Sequence, residues 1–158
     1  MKKLLSLTLV AVFLCVMSIG VFAEEPVNTS PNEDLKAELT QLRDELKDLR
    51  AEHQGLHEQV LQKRDTIKET VSNLKESGSL DKLEAIKPYR EELKGIREEL
   101  KNLRTMKNDL WKEIKDARTA KDFETVKTKL TQVIDYKKQI IQKVDEKIQL
   151  LDTIINTL

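Results

Sequence analysis

Apolar residues recur four and three positions apart along most of this chain. Leu35, Leu39, Leu42, Leu46, Leu49, Leu56 and Val60 keep that step, His53 takes one place in the same series, and Ile67, Val71 and Leu74 extend the face. An alternating four-three step holds one stripe on one side of a supercoiling helix, so it predicts a first long helix. Ser30, Pro31 and Glu33 predict its start. The serine can accept from a free backbone N–H, the glutamate can reach back to the serine's own N–H, and proline loses nothing at a first helical position. "ESGSL" predicts the end, with Gly78 able to take the left-handed conformation that closes a helix and Ser79 free to cap the next one.

The second stripe runs through Leu80, Leu83, Ile86, Tyr89, Leu93, Ile96, Leu100, Leu103, Leu110, Ile114 and Ala117. Pro88 interrupts it: the missing N–H removes a bond to the carbonyl of Glu84, so the preceding segment is either a separate turn or the arm of a kink. Beyond Ala117 the pattern slips by two residues and restarts at Phe123, Val126, Leu130 and Val133. A continuous coiled coil absorbs insertions of three or four, so the slip predicts a turn near residues 118–122. The third helix carries one stripe at Val126, Leu130, Val133, Ile140, Val144, Leu151 and Leu158. A second runs beside it at Ile134, Ile141, Ile148 and Ile155. Two adjacent stripes imply two neighbours.

Helices over about 32–76, 80–118 and 122–158, each about 55–65 Å long and joined by short connections, predict an all-α, elongated antiparallel three-helix bundle of coiled-coil type. The isoleucine stripe is a candidate interaction surface, because four isoleucines in line form an apolar strip that soluble monomers bury. Either the first helix covers it or a second copy of the chain does.

Within this frame one phrase repeats. Glu-Leu-x-x-(Leu/Ile)-Arg occurs at Glu38 to Arg43, Glu45 to Arg50, Glu92 to Arg97 and Glu99 to Arg104. With Leu39, Leu46, Leu93 and Leu100 at heptad position a, each Glu falls at g and each Arg at e, the positions that flank the seam and choose partners. Glu at g with Arg at e attracts in a parallel pair and sets like charges together in an antiparallel one. Lys129 and Lys143, at g of the third helix, suit an antiparallel fit against Glu92 and Glu99.

Composition narrows the functional classes. Charged residues make up 35% of the chain and aromatics 4%, which suits long helices better than a sheet. The opening "MKKLLSLTLVAVFLCVMSIGVFAEE" has a basic start, an uncharged apolar run and a Val21-Phe22-Ala23 ending. It reads as a secretory signal peptide over 1–23, followed by a polar tether over 24–31. Retention as an anchor is the competing reading, since Leu4 to Ala23 is about as long as a membrane span. Lipid attachment at Cys15 would need a small residue before it, and Leu14 is large.

Cleavage after Ala23 removes the single cysteine, leaving no disulfide or thiol chemistry, and places the protein outside the cytoplasm, secreted or in the cell envelope. Lys2 and Lys3 leave with it, so 26 of the 28 Lys plus Arg remain against 28 Asp plus Glu. A nucleic-acid binder or a polybasic membrane-surface protein has a different balance, so neither partner is expected.

Candidate chemistry is sparse. In "EHQGLHE", His53 and His57 stand four apart with Glu52 and Glu58 beside them. Two imidazoles at that spacing point the same way and can chelate Zn, Cu or Ni weakly, but a firm site needs three or four ligands with outer support. His53 occupies position a, where an imidazole in the seam is the simpler reading. No glycine-rich phosphate loop follows a strand and no nucleophile stands beside a base, so neither catalysis nor a cofactor is expected. At the level of class, a small exported helical protein resembles the Spy-type envelope-stress chaperones, whose Leu-Thr-x-x-Gln phrase begins here at Leu39-Thr40 and Leu130-Thr131. Arg43 and Ile134 stand in place of the glutamine. It is similar in the same loose way to spectrin-like spacer bundles. The expected role is therefore structural or adaptor, through protein contacts or self-association, with a holdase-type chaperone as the alternative and weak metal binding third.

Overall fold

The computed structural model describes residues 31–158. The signal peptide read over 1–23, the tether apart from Pro31, and the Ser30 cap lie outside the described residues. The chain folds as an all-α bundle of α1 (Pro31–Glu76), α2 (Leu80–Ala85), α3 (Lys87–Thr119) and α4 (Phe123–Thr157), with no strand among the described residues. At about 1.5 Å per residue α1 is about 69 Å long, against about 50 Å for α3 and about 52 Å for α4. The six-residue α2, about 9 Å long, covers part of the difference between α1 and α3. Pro88 sits in the first turn of α3 and detaches α2 as a six-residue helix, with Ile86 between the two.

Both long turns use one hydrogen-bonding solution. After α1, Ser79 N donates to Leu74 O (3.0 Å) and Gly78 N to Lys75 O (3.3 Å), with Gly78 at φ 74°. After α3, Asp122 N donates to Ala117 O (2.9 Å) and Lys121 N to Arg118 O (3.1 Å), with Lys121 at φ 57°. These are Schellman closures, which normally place glycine at the left-handed residue. The second carries lysine there, which is why no glycine marks it in the sequence. Replacing Lys121 with Gly is expected to stabilise the fold by about 0.5–1 kcal/mol, because the Cβ strain at positive φ outweighs the added chain entropy. A urea melt checks this, and an unchanged midpoint would show that the turn carries no strain.

The caps differ from those expected. Ser79 makes no side-chain cap bond to α2. Its hydroxyl instead pairs with Ser77 Oγ (3.2 Å), which also donates to Leu74 O. Asp122 caps α4: Thr125 N donates to Oδ1 (3.0 Å) and Thr125 Oγ1 to Oδ2 (2.7 Å), and these bonds hold the carboxyl below its usual range.

The helix at the centre is α4. Both α1 and α3 pack along it, while α1 and α3 scarcely approach each other. Two apolar stripes on α4 cause this, as each stripe takes one neighbour. Leu130 and Ile140 of α4 and Ile114 of α3 are fully enclosed. Ion pairs record the register. Glu38–Lys127, Glu45–Lys138 (2.7 Å) and Lys63–Asp152 rise together along α1 and α4, so these two run parallel. Glu113–Lys129 (2.5 Å) and Glu99–Lys143 (2.9 Å) run in opposite directions, so α3 is antiparallel to α4. Lys143 meets one of the two glutamates expected against this row, Glu99, whereas Lys129 meets Glu113 and neither of them. Pairs this exposed contribute tenths of a kcal/mol each and serve mainly to fix register.

The isoleucine stripe lies inside the chain: Ile134, Ile141 and Ile148 are buried and Ile155 is half-buried.

Candidate functional site

The core is in two parts. One holds Val60, Leu100, Ile140, Val144, Leu151 and their neighbours, and the other Leu46, Leu110, Ile114, Leu130 and Val133. Between them the seam residues of the three long helices are His53, Lys107 and Lys137, each at heptad position a. This polar waist is cationic. Lys137 is only 8% exposed, and it makes no hydrogen bond or ion pair among the described residues. No buried side-chain nitrogen or oxygen there lacks a partner, so its stem is enclosed while its ammonium reaches solvent.

The electrostatics follow from this crowding. Burial, with Lys107, Arg50 and Arg104 nearby, pulls the Lys137 ammonium down to about 8, and Glu52 alone opposes it. Burial also lowers Lys107, helped by Arg104 and Arg50, and lowers Lys147, helped by Arg97, Arg64 and Arg104. His53 falls to about 4, through burial first and then Lys137, Arg104, His57 and Lys107. A ring held neutral by positive neighbours is a poor place for a divalent cation, which would meet the same repulsion. His57 is exposed, and among the described residues no group of three or more His, Cys, Asp or Glu side chains could hold a metal.

A neutral seam imidazole gives a pH-dependent stability with a definite sign. The unfolded ring binds a proton near its ordinary 6.5 while the folded ring resists until about 4, so stability is lost as pH falls between those values. Allowing for solvent screening of a half-exposed ring, the loss is about 1 kcal/mol. His53→Leu is expected to melt higher than the parent and to lose this slope. Equal slopes in parent and variant between pH 7 and 4 would show that the ring is not held neutral.

From the waist an open trough runs in both directions between α1 and α3. Its floor is α4. Toward the α2 end it has a volume of about 610 Å³, with Arg64, Lys68, Arg90 and Arg97 on its walls and Leu151 and Ile154 beneath. Glu91 is the one carboxylate there, and it already pairs with Lys94 (3.1 Å). Toward the other end a smaller hollow of about 280 Å³ lies among Arg43, Arg50, Arg118 and Trp111.

The arginines have a common address. Arg43, Arg50 and Arg64 on α1, and Arg90, Arg97, Arg104 and Arg118 on α3, are separated by multiples of seven residues within each helix. His57 and Trp111 fill the missing rungs. All seven arginines are exposed at position e, and none makes an ion pair among the described residues, where every pair uses a lysine or its carboxylate partner. The cause is register. Glu38, Glu45, Glu99 and Glu113, at g, turn outward to lysines of α4, which leaves the e rows of α1 and α3 antiparallel on the trough side, like charge toward like charge.

Arg43, Arg50, Arg97 and Arg104 belong to the repeated phrase. Arg64, Arg90 and Arg118 lie on the same heptads but outside the phrase, and extending the seven-residue step finds them. Lys107 and Lys137 carried the same signal as His53, a polar residue in an apolar series. Comparison with protein-family models, curated proteins and solved structures gives no match for this chain.

Proposed function

We propose that this chain is an extracytoplasmic structural or adaptor protein that works through protein contacts. The observation that supports this most directly is the location of its arginines, unpaired among the described residues, along an open trough between two helices. A surface of this shape suits an elongated partner. The sequence features of the N-terminal segment support export, and no helix among the described residues is long and apolar enough to cross a membrane.

A holdase reading has one observation in its favour: Leu42, Leu49, Leu56, Ile67, Val71 and Leu74 of α1 stay only half-buried, as an apolar surface for unfolded clients would. Two measurements separate the readings. Photo-crosslinking residues placed at exposed positions on each face, in the exporting cell, should give a discrete adduct from at least one face. The purified protein should leave the aggregation of a denatured client unchanged at equal molarity. Suppression of aggregation without a discrete adduct would favour the holdase, and neither effect would overturn both.

A further inference from the structure

Charge, apolar surface and helix arrangement in the trough each restrict what can lie in it. On charge, the two arginine rows and the waist form a cationic strip; among the described residues the carboxylates beside it are Glu33 in the hollow with Arg43, Glu52 beside Lys137, and Glu91, which already pairs with Lys94. The rows repel each other across open water in the chain alone, so an anionic occupant removes a standing cost.

On apolar surface, α1 is under-covered. Only Leu39, Leu46 and Val60 of its long seam are buried, whereas α4 buries most of both its stripes. A purely polar polyanion would leave Ile67, Val71 and Leu74 as they are. On arrangement, α4 touches both α1 and α3 while those two hardly meet, which is the relation of three corners of a square four-helix bundle. The vacant corner lies over the trough. The seven-residue arginine step, about 10.5 Å along a helix, matches the heptad of a helix laid alongside.

A second copy of this chain is a poor occupant. It would bring its own arginine rows, and four of its glutamates at g, Glu38, Glu45, Glu99 and Glu113, are engaged with lysines of α4.

We propose that the trough between α1 and α3 is the docking site for an acidic amphipathic helix of a partner protein. That helix occupies the fourth corner, with flanking carboxylates against the arginine rows and one carboxylate at the His53, Lys107 and Lys137 waist. The inference rests on the protein-contact reading and gives that partner its chemistry. Arginine suits the task because its planar fork meets a carboxylate in two parallel hydrogen bonds, which the compact ammonium of lysine does not. Lys137 supplies the register: a seam cation with no partner of its own selects a helix with Asp or Glu at one seam position.

The test uses the chain from residue 24 and four labelled probes in fluorescence anisotropy. They are a synthetic helix with leucine at its seam, glutamate at its flanks and one seam glutamate; a scrambled peptide of the same composition; oligoglutamate; and a DNA oligonucleotide. The expected result is saturable binding of the amphipathic peptide with a gain of helix by circular dichroism, and binding about tenfold weaker or less for the other three. Arg50→Gln/Arg97→Gln/Arg104→Gln, all exposed positions, should keep the parent's helical melt and lose about tenfold or more in affinity for the peptide. Lys137→Met should abolish the preference for the peptide with a seam glutamate over a fifth probe, the same helix with leucine at that seam position.

Equal binding of oligoglutamate or DNA would overturn the helix and make the strip a polyanion site. Undiminished binding to the arginine variant, or no saturable binding of the peptide, would overturn the trough as its site. A discrete cellular adduct from an outer face, with none from the trough, would leave the protein-contact reading standing and remove this inference alone.

Discussion

Replacing Ile141 and Ile148 together with lysine is expected to abolish the cooperative helical melt at every protein concentration. Both side chains are buried within the chain, at 7% and 9% exposure, on the α4 stripe that seven-residue spacing defines. Each substitution puts an ammonium without a partner into an apolar seam, at a cost of several kcal/mol. Two such penalties approach or exceed the about 5–15 kcal/mol that holds a domain of this size together. The concentration series is what gives the experiment its force. Had the stripe served to join two copies, the double variant would survive as a folded monomer of half the parent's mass in solution. A folded variant of unchanged mass would contradict the burial of this α4 stripe.

The opposite sign is expected at Lys137. Lys137→Met should raise stability at pH 7, because methionine fills the same enclosed stem without the charge that burial, Lys107, Arg50 and Arg104 all disfavour. The pH dependence carries the sign. An unfolded lysine holds its proton to about 10.5 and the folded one only to about 8, so the penalty is complete below pH 8 and fades as pH rises toward 10.5. The advantage of the variant should follow it, about 1–2 kcal/mol at pH 7 once the solvent contact of the ammonium is allowed for, and close to nothing at pH 10.5. Chemical denaturation of both proteins at pH 7, 9 and 10.5 measures this. An advantage that stays constant across the series would mean that packing, and not charge, distinguishes the two side chains. A stabilising change that removes a recognition group is the usual trade where a site is built from uncompensated charge.

Local order along the chain was written in the sequence to a large extent. The four-three spacing of Leu35 to Val60 corresponds to the unbroken α1, and Pro88 in the middle of an apolar series, Gly78 at the end of α1 and the two-residue slip near residues 118–122 each correspond to a boundary or break that the backbone adopts. These signals are local. A stripe, a missing N–H and a left-handed residue act within one or two turns, so their consequences need no knowledge of the rest of the molecule. Ser79 shows the limit of that reasoning, because Ser77, two residues earlier, holds its hydroxyl instead.

The candidate site was legible only in pieces. The heptad assigned Arg43, Arg50, Arg97 and Arg104 to position e, and it marked His53 as polar within a seam. It did not say which helix would face which. A heptad specifies faces, whereas partners follow from the sum of all the packing choices, and here the two adjacent stripes of α4 drew α1 and α3 to neighbouring faces of one helix. That choice turned Glu38, Glu45, Glu99 and Glu113 outward to lysines and left the arginines together without an ion pair among the described residues. The same choice put Lys137 and Lys107 beside His53 and made the ring neutral. Charge repulsion and desolvation depend on what lies within a few ångströms in space, so residues far apart along the chain acquire these properties only once the three helices are packed.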